Sequence, residues 1–129
     1  MGTFEQWDAE FTPILNGFVA ALGHCDATCE RRWAPALLAN ADQLRAASRS
    51  LVHWSSEHPC PNPDFDVVLA RVARSYAYAA HSVESVSRGS TTTWLVVERE
   101  LKGLHAMVAK VITLLYEQAQ PGSGGGPAN

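Results

Sequence analysis

The sequence lacks any long apolar run, and this absence excludes a membrane-spanning helix. Charged residues interrupt its apolar patches well short of the ~20 residues that a helix needs to cross a bilayer. Residues 1–6 contain neither a basic segment nor an apolar core, so no secretory signal is predicted. We therefore expect a cytoplasmic protein that has no membrane as a partner.

The sequence also lacks a positive charge balance and the common catalytic motifs. Its net charge of −3 over 129 residues disfavours nucleic acid as a partner. It contains no Gly-rich phosphate loop, no Gly-x-Ser-x-Gly elbow and no His-Glu-x-x-His zinc motif. It has no Glu-x-x-His pair either, which excludes the di-iron bundles that carry this pair on two helices. These absences favour a non-enzymatic protein without a cofactor, and no catalytic residue is predicted.

No stretch has the alternation of apolar and polar residues that is typical of strands, whereas four stretches have helical spacing. Apolar residues recur at steps of three and four over residues 4–22, 33–54, 65–86 and 94–115. Short turns join these stretches, so residues 1–120 are predicted to form one all-α domain, an antiparallel up-down-up-down four-helix bundle. Residues 121–129, which are rich in glycine, are predicted to form a flexible tail.

The centre of the chain is predicted to be a hinge between the second and third helices. Residues 58–64 contain three prolines, each of which fixes φ and lacks a backbone N–H. The second helix should therefore stop near Glu57. Asn62 is a suitable N-cap for the third helix, with Pro63 at the first helical position.

The limits of the first two helices follow from a glycine, an aspartate and two prolines. Gly23 is expected to end the first helix, and Asp26 to cap a second helix that extends from about residue 27 to residue 57. Pro13 and Pro35 fall inside these two patterns. Both positions are therefore predicted to be sites where a helix can kink.

The three cysteines, Cys25, Cys29 and Cys60, are candidate redox residues. With Cys29 in the first turn of the second helix, the positive end of the helix dipole would favour its thiolate. Cys60 could then act as a resolving thiol on another chain, and simple packing of small side chains is the alternative. Zinc ligation together with His24 and His58 is disfavoured, because a helix of ~45 Å would separate the two groups. No metal site is predicted.

A polar flank on the third and fourth helices is the candidate ligand-binding site. Antiparallel pairing of the two helices places His81 level with about Leu101. A cluster there could bind an anion or a metal, or carry out acid-base chemistry. A solvated, partner-facing flank is the alternative. The candidate residues are Arg74, Tyr78, His81, Glu98 and His105.

The fourth helix carries more apolar residues than one buried face requires. Met107, Ile112, Leu114 and Tyr116 widen its apolar surface, which predicts either the most central helix or a subunit interface. The first expectation for function is accordingly an interaction protein that binds itself, for example as a homodimer, or another protein. The alternatives are a thiol-based redox or metal sensor that uses Cys25 and Cys29, and a small-ligand-binding bundle.

Overall fold

The computed structural model describes residues 3–89 and 94–119, and these form four α-helices. A short 3₁₀ turn, Ala34–Ala36, precedes the second of them, and no strand occurs within these two ranges. Each helix packs against the next, and the last packs against the first, so the four close into a bundle. The predicted all-α four-helix bundle is confirmed, whereas the predicted tail lies outside the described residues. The helices are α1 (Thr3–Arg31), α2 (Leu37–Glu57), α3 (Pro63–Ser87) and α4 (Trp94–Ala119).

The break between α1 and α2 lies at residues 32–36, and the prediction that Gly23 ends the first helix is wrong. α1 continues through Gly23 for two more turns. A glycine inside a helix costs only about 1 kcal/mol, and the apolar residues that follow keep the helical phase. Arg32 then adopts a φ of 52°, which ends α1. The prediction of a second helix that starts near residue 27 with Asp26 as its cap is wrong for the same reason.

The two prolines predicted at kinks occupy different kinds of position. Pro13 lies inside α1, which is continuous on both sides of it. Pro35 lies in the 3₁₀ turn and therefore outside α2, so it separates two helices instead of kinking one. Trp33, expected on the apolar seam of the second helix, precedes this turn and is 58% exposed.

The central hinge has the predicted form. α2 ends at Glu57 and α3 begins at Pro63, where Asn62 Oδ1 accepts a hydrogen bond of 3.1 Å from the Asp64 N–H. The indole N–H of Trp7 donates to the backbone carbonyl of His58 at 2.7 Å. This bond fixes the start of α1 against the hinge.

Two groups of aromatic side chains hold α1 in the bundle. Near the hinge, rings from α1, α2 and α3 form a cluster in which each ring lies within 6.4 Å of at least two others, centroid to centroid. Half-way along the bundle, the buried Tyr76 ring packs against Phe18, and its hydroxyl donates to the Phe18 carbonyl at 3.0 Å. The rings near the hinge are those of Phe4, Trp7, Phe11, Trp54 and Phe65.

Glu84 forms an ionic link between α2 and α3. Its carboxylate accepts hydrogen bonds from Arg45 on α2 and from Arg88, one turn further along the chain. The guanidinium groups of Arg88, which has the larger effect, and of Arg45 hold the pKa of Glu84 below its ordinary value. α3 ends at Ser87, and Gly89 adopts a φ of 74°, which is common directly after a helix C-terminus.

Candidate functional site

Cys25 and Cys29 lie in the last two turns of α1, and not at the start of a helix. Both thiols are free and buried. Hydrogen bonding between the two thiols, together with burial, raises the pKa of Cys25, whereas the same interaction lowers the pKa of Cys29. The dipole of α1 presents its negative end here, which disfavours a thiolate. The sequence-based reason for a reactive Cys29 is therefore wrong.

A disulfide between these two cysteines does not fit a regular helix. Residues four apart on a helix have Cβ atoms about 5–6 Å apart, whereas a disulfide requires about 3.5–4.5 Å. Oxidation of Cys25 and Cys29 to a disulfide would have to distort the end of α1. The two free thiols instead pack in the core, and Cys29 lies near Leu101 of α4.

Cys60 lies at the opposite end of the bundle from this pair. It is buried in the hinge, where its N–H donates to the Asp66 carboxylate at 3.1 Å. Trp7 contacts the same hinge, and the 18 residues between Trp7 and Cys25 span ~27 Å of helix. Within one chain Cys60 therefore cannot resolve an oxidised Cys25 or Cys29. In the part of the chain that the structure describes, no three His, Cys, Asp or Glu side chains form a group that could hold a metal ion.

Glu98 and His105 lie on the flank of α4 that faces α1, and their polar partners are Arg32, directly after α1, and Asp26 of α1. His105 Nε2 lies 2.6 Å from the Asp26 carboxylate, and Arg32 donates to Glu98 at 2.5 Å. The Arg32 guanidinium also lies 5.4 Å from the centre of the Trp94 ring. These contacts border a polar cleft of about 420 Å³, which we call the α1–α4 cleft. It is lined by Asp26, Cys29, Glu30, Glu98, Leu101, Lys102 and His105.

His81 belongs to a different surface, although its predicted level along the bundle agrees with the structure. The Ser82 hydroxyl donates to Glu100 Oε2 at 2.9 Å, and this pairing places His81 opposite Leu101. His81 and Arg74 are exposed, however, and the polar contacts of His105 and Glu98 are made with Asp26 of α1 and with Arg32, directly after α1. The five candidate ligand residues therefore do not form one cluster.

Tyr78 is the one predicted ligand residue among those that line a second cleft, between α3 and α4. This α3–α4 cleft has a volume of about 460 Å³. Glu100 accepts the Ser82 hydrogen bond through Oε2, while its Oε1 is buried without a hydrogen-bond partner among the described residues. The lining residues are Ser75, Tyr78, Glu100, Gly103, Leu104 and Met107.

The cluster predicted around His81 included Glu98, whereas Glu100 is the acidic residue of α4 that lies on the α3 side. The direction of each side chain around the helix axis distinguishes the two. Residues two apart on a helix differ by about 200° in direction, so Glu98 and Glu100 point to opposite flanks of α4. No local sequence pattern indicates that Asp26 and Arg32 pair with His105 and Glu98. Their position depends on the extension of α1 past Gly23.

The four interface candidates also divide between the two flanks of α4. Met107 and Leu114 are half-buried and pack against the core on the α3 side. Ile112 and Tyr116 lie on the α1 side, where they are 47% and 67% exposed. α4 is thus not fully surrounded by the other helices, and its outermost positions include the exposed Arg99, Lys102 and Lys110.

A third exposed apolar side chain, Val19 of α1, lies level with Ile112 along the bundle. The pairs Asp26–His105 and Arg32–Glu98 set an antiparallel register in which Val19 is level with Ile112. Val19 is 46% exposed. We call Val19, Ile112 and Tyr116 the α1–α4 strip, which continues the α1–α4 cleft toward the hinge end of the bundle.

In the described residues, no helix is long and apolar enough to cross a bilayer. Comparison with models of protein families, with curated proteins and with solved structures finds no match to this chain.

Proposed function

We propose that this protein is a non-enzymatic interaction protein, and that its α1–α4 strip binds an amphipathic helix of a partner protein that carries basic residues. The observation that supports this proposal is the alignment of three large exposed apolar side chains along one helix pair. Ile112 and Tyr116 are four residues apart and therefore share one flank of α4. A helical partner would insert its apolar residues between these side chains and Val19.

The charge of α1 favours a basic partner. Within Thr3–Arg31 five acidic side chains oppose one basic side chain, so this helix alone exceeds the net charge of −3 of the whole protein. An acidic surface repels nucleic acid and anionic membranes and attracts lysine and arginine. The acidic residues are Glu5, Asp8, Glu10, Asp26 and Glu30, and the basic one is Arg31.

The same charge disfavours a second copy of this chain as the occupant. A two-fold symmetric contact through the strip would bring two acidic α1 helices together, and like charges across an interface reduce affinity. Stable homodimers also bury about 800 Å² or more per subunit, which three partly exposed side chains do not supply. The proposal includes a cytoplasmic location, where the three thiols would stay reduced.

A labelled model peptide tests this proposal directly. A fluorescein-labelled amphipathic helix of leucine and lysine is titrated with the protein, and fluorescence anisotropy reports binding. We expect binding that weakens with added salt and that falls at least about tenfold in Ile112→Glu. A peptide with glutamate in place of lysine should not bind.

The matched control is Val52→Glu, which makes the same kind of charge change at a side chain of α2 that is 57% exposed. This variant should bind the peptide within about twofold of the original protein. An equal loss in both variants would overturn the proposed site. If sedimentation showed a dimer that Ile112→Glu dissociates, the occupant of the α1–α4 strip would be a second copy of this chain and not a basic helix.

A further inference from the structure

Glu100, which lines the α3–α4 cleft, has a buried carboxylate oxygen that lacks a hydrogen-bond donor among the described residues. This cleft lies on the opposite flank of α4 from the α1–α4 strip. Glu100 Oε2 accepts from the Ser82 hydroxyl, but Oε1 is buried and has no partner among the described residues. A carboxylate offers about four acceptor positions. Leaving a buried acceptor unpaired is unfavourable, so this site lacks a donor that an occupant could supply.

The rest of the cleft suits an apolar chain. Leu104 and Met107 form an apolar part of its lining, and a Cβ atom built on Gly103 would meet nothing within 4 Å. The ring of Tyr78, 69% exposed, lies at the rim and offers a π face to a cation. The volume of about 460 Å³ is within the range of small-molecule sites.

We propose that the α3–α4 cleft binds a primary organic ammonium with an apolar chain. The ammonium group donates to Glu100 and lies near the Tyr78 ring, while the chain lies against Leu104 and Met107. The Ser82 hydroxyl is the one hydrogen-bond donor to Glu100 among the described residues, so we infer that the carboxylate rotates to present Oε1 to the head group. Of the side chains that line the cleft, Glu100 is the one carboxylate, so charge selects a cation over an anion.

The test uses n-hexylammonium as the probe, with 1-hexanol, hexanamide and hexanoate as matched compounds. Binding is followed by protein NMR as shifts of the Tyr78, Gly103 and Met107 amide signals. We expect saturable shifts with n-hexylammonium at millimolar concentration, weaker binding of hexanol and hexanamide, and none of hexanoate. Equal binding of all four compounds, or shifts outside these residues only, would overturn the proposal.

Substitutions distinguish the contribution of the Glu100 carboxylate to binding from that of the apolar cavity. Glu100→Gln should weaken n-hexylammonium at least about tenfold and change hexanol binding little. Glu98→Gln, a change of the same kind on the α1 side, should leave both affinities within about twofold. An equal loss in Glu98→Gln would contradict the assignment.

Gly103→Leu keeps the test informative if Glu100→Gln does not fold. The new side chain fills the open space above residue 103 and replaces a helix-interior glycine with a strong helix former. It should therefore raise the melting temperature while it abolishes binding of n-hexylammonium. A Gly103→Leu variant that still binds the probe with unchanged affinity would place the ligand elsewhere.

Discussion

Replacement of Asn40 by leucine should make the protein more stable. Asn40 is only 4% exposed, and its Oδ1 has no hydrogen-bond partner in the described part of the chain. Its Nδ2 reaches Gln43 Oε1 at 3.5 Å, a distance at which a hydrogen bond contributes little. Leucine has the same branched shape, so the change removes the polar atoms without opening a cavity.

The magnitude follows from three opposing contributions. Removal of the unpaired acceptor should gain about 1–3 kcal/mol, and loss of the long Gln43 bond should cost about 0.5 kcal/mol. Fitting two methyl groups where an oxygen and an amide nitrogen lay should cost up to about 1 kcal/mol. These contributions sum to a net increase centred on about 1 kcal/mol in the free energy of unfolding, which raises the melting temperature by about 3–5 °C for a chain of this size.

Urea unfolding followed by circular dichroism, with thermal melts in parallel, measures this change. Asn16→Leu is the matched control because Asn16 is exposed on α1, and its substitution should change stability by less than about 0.5 kcal/mol. A destabilised Asn40→Leu protein would refute the reasoning. It would mean that Oδ1 has a partner in solution, such as an ordered water, whose loss outweighs the gain.

Two further substitutions test the hinge and the ionic link. Trp7→Phe should lower the free energy of unfolding by about 2–3 kcal/mol, because it leaves the His58 carbonyl without its indole donor and shrinks a buried ring. The control is Trp33→Phe at an exposed site, which should change the free energy of unfolding by less than about 0.5 kcal/mol in the same urea assay. Glu84 has a lowered pKa in the folded state, so its contribution to stability is present above the ordinary value of 4.5 and is lost as the pH falls through the folded-state pKa. The difference between the urea midpoints at about pH 7 and about pH 3 should therefore be smaller in Glu84→Gln than in the original protein. An unchanged pH dependence would contradict this assignment.

Short-range chemistry explains why much of the fold could be predicted. The spacing of apolar residues at three and four defines helices because the helix repeats every 3.6 residues. The hinge was equally predictable from the sequence, because its three prolines exclude a continuous helix and Asn62 followed by Pro63 is typical of a helix start. The end of α3 at Gly89 has the same local origin, since a positive φ is accessible to glycine.

The end of α1 could not be predicted in this way, because two local signals competed. Gly23 resembles a helix C-terminus, yet the apolar phase continues past it and the chain instead turns at Arg32. Packing against α4 decides between them, since the last two turns of α1 bury Cys25 and Cys29 in the core. The error also moved Cys29 from the positive to the negative end of a helix.

The sequence by itself determined that the chain forms four helices, where the central hinge lies and most of the residues that each helix buries, because proline geometry and helical period act over a few residues. Only the tertiary structure decided which flanks meet. The register of α1 against α4 pairs Asp26 with His105 and aligns Val19 with Ile112, and the register of α3 against α4 places Glu100 beside Tyr78. These juxtapositions join residues far apart in the chain, and they depend on how whole helices pack rather than on any local pattern.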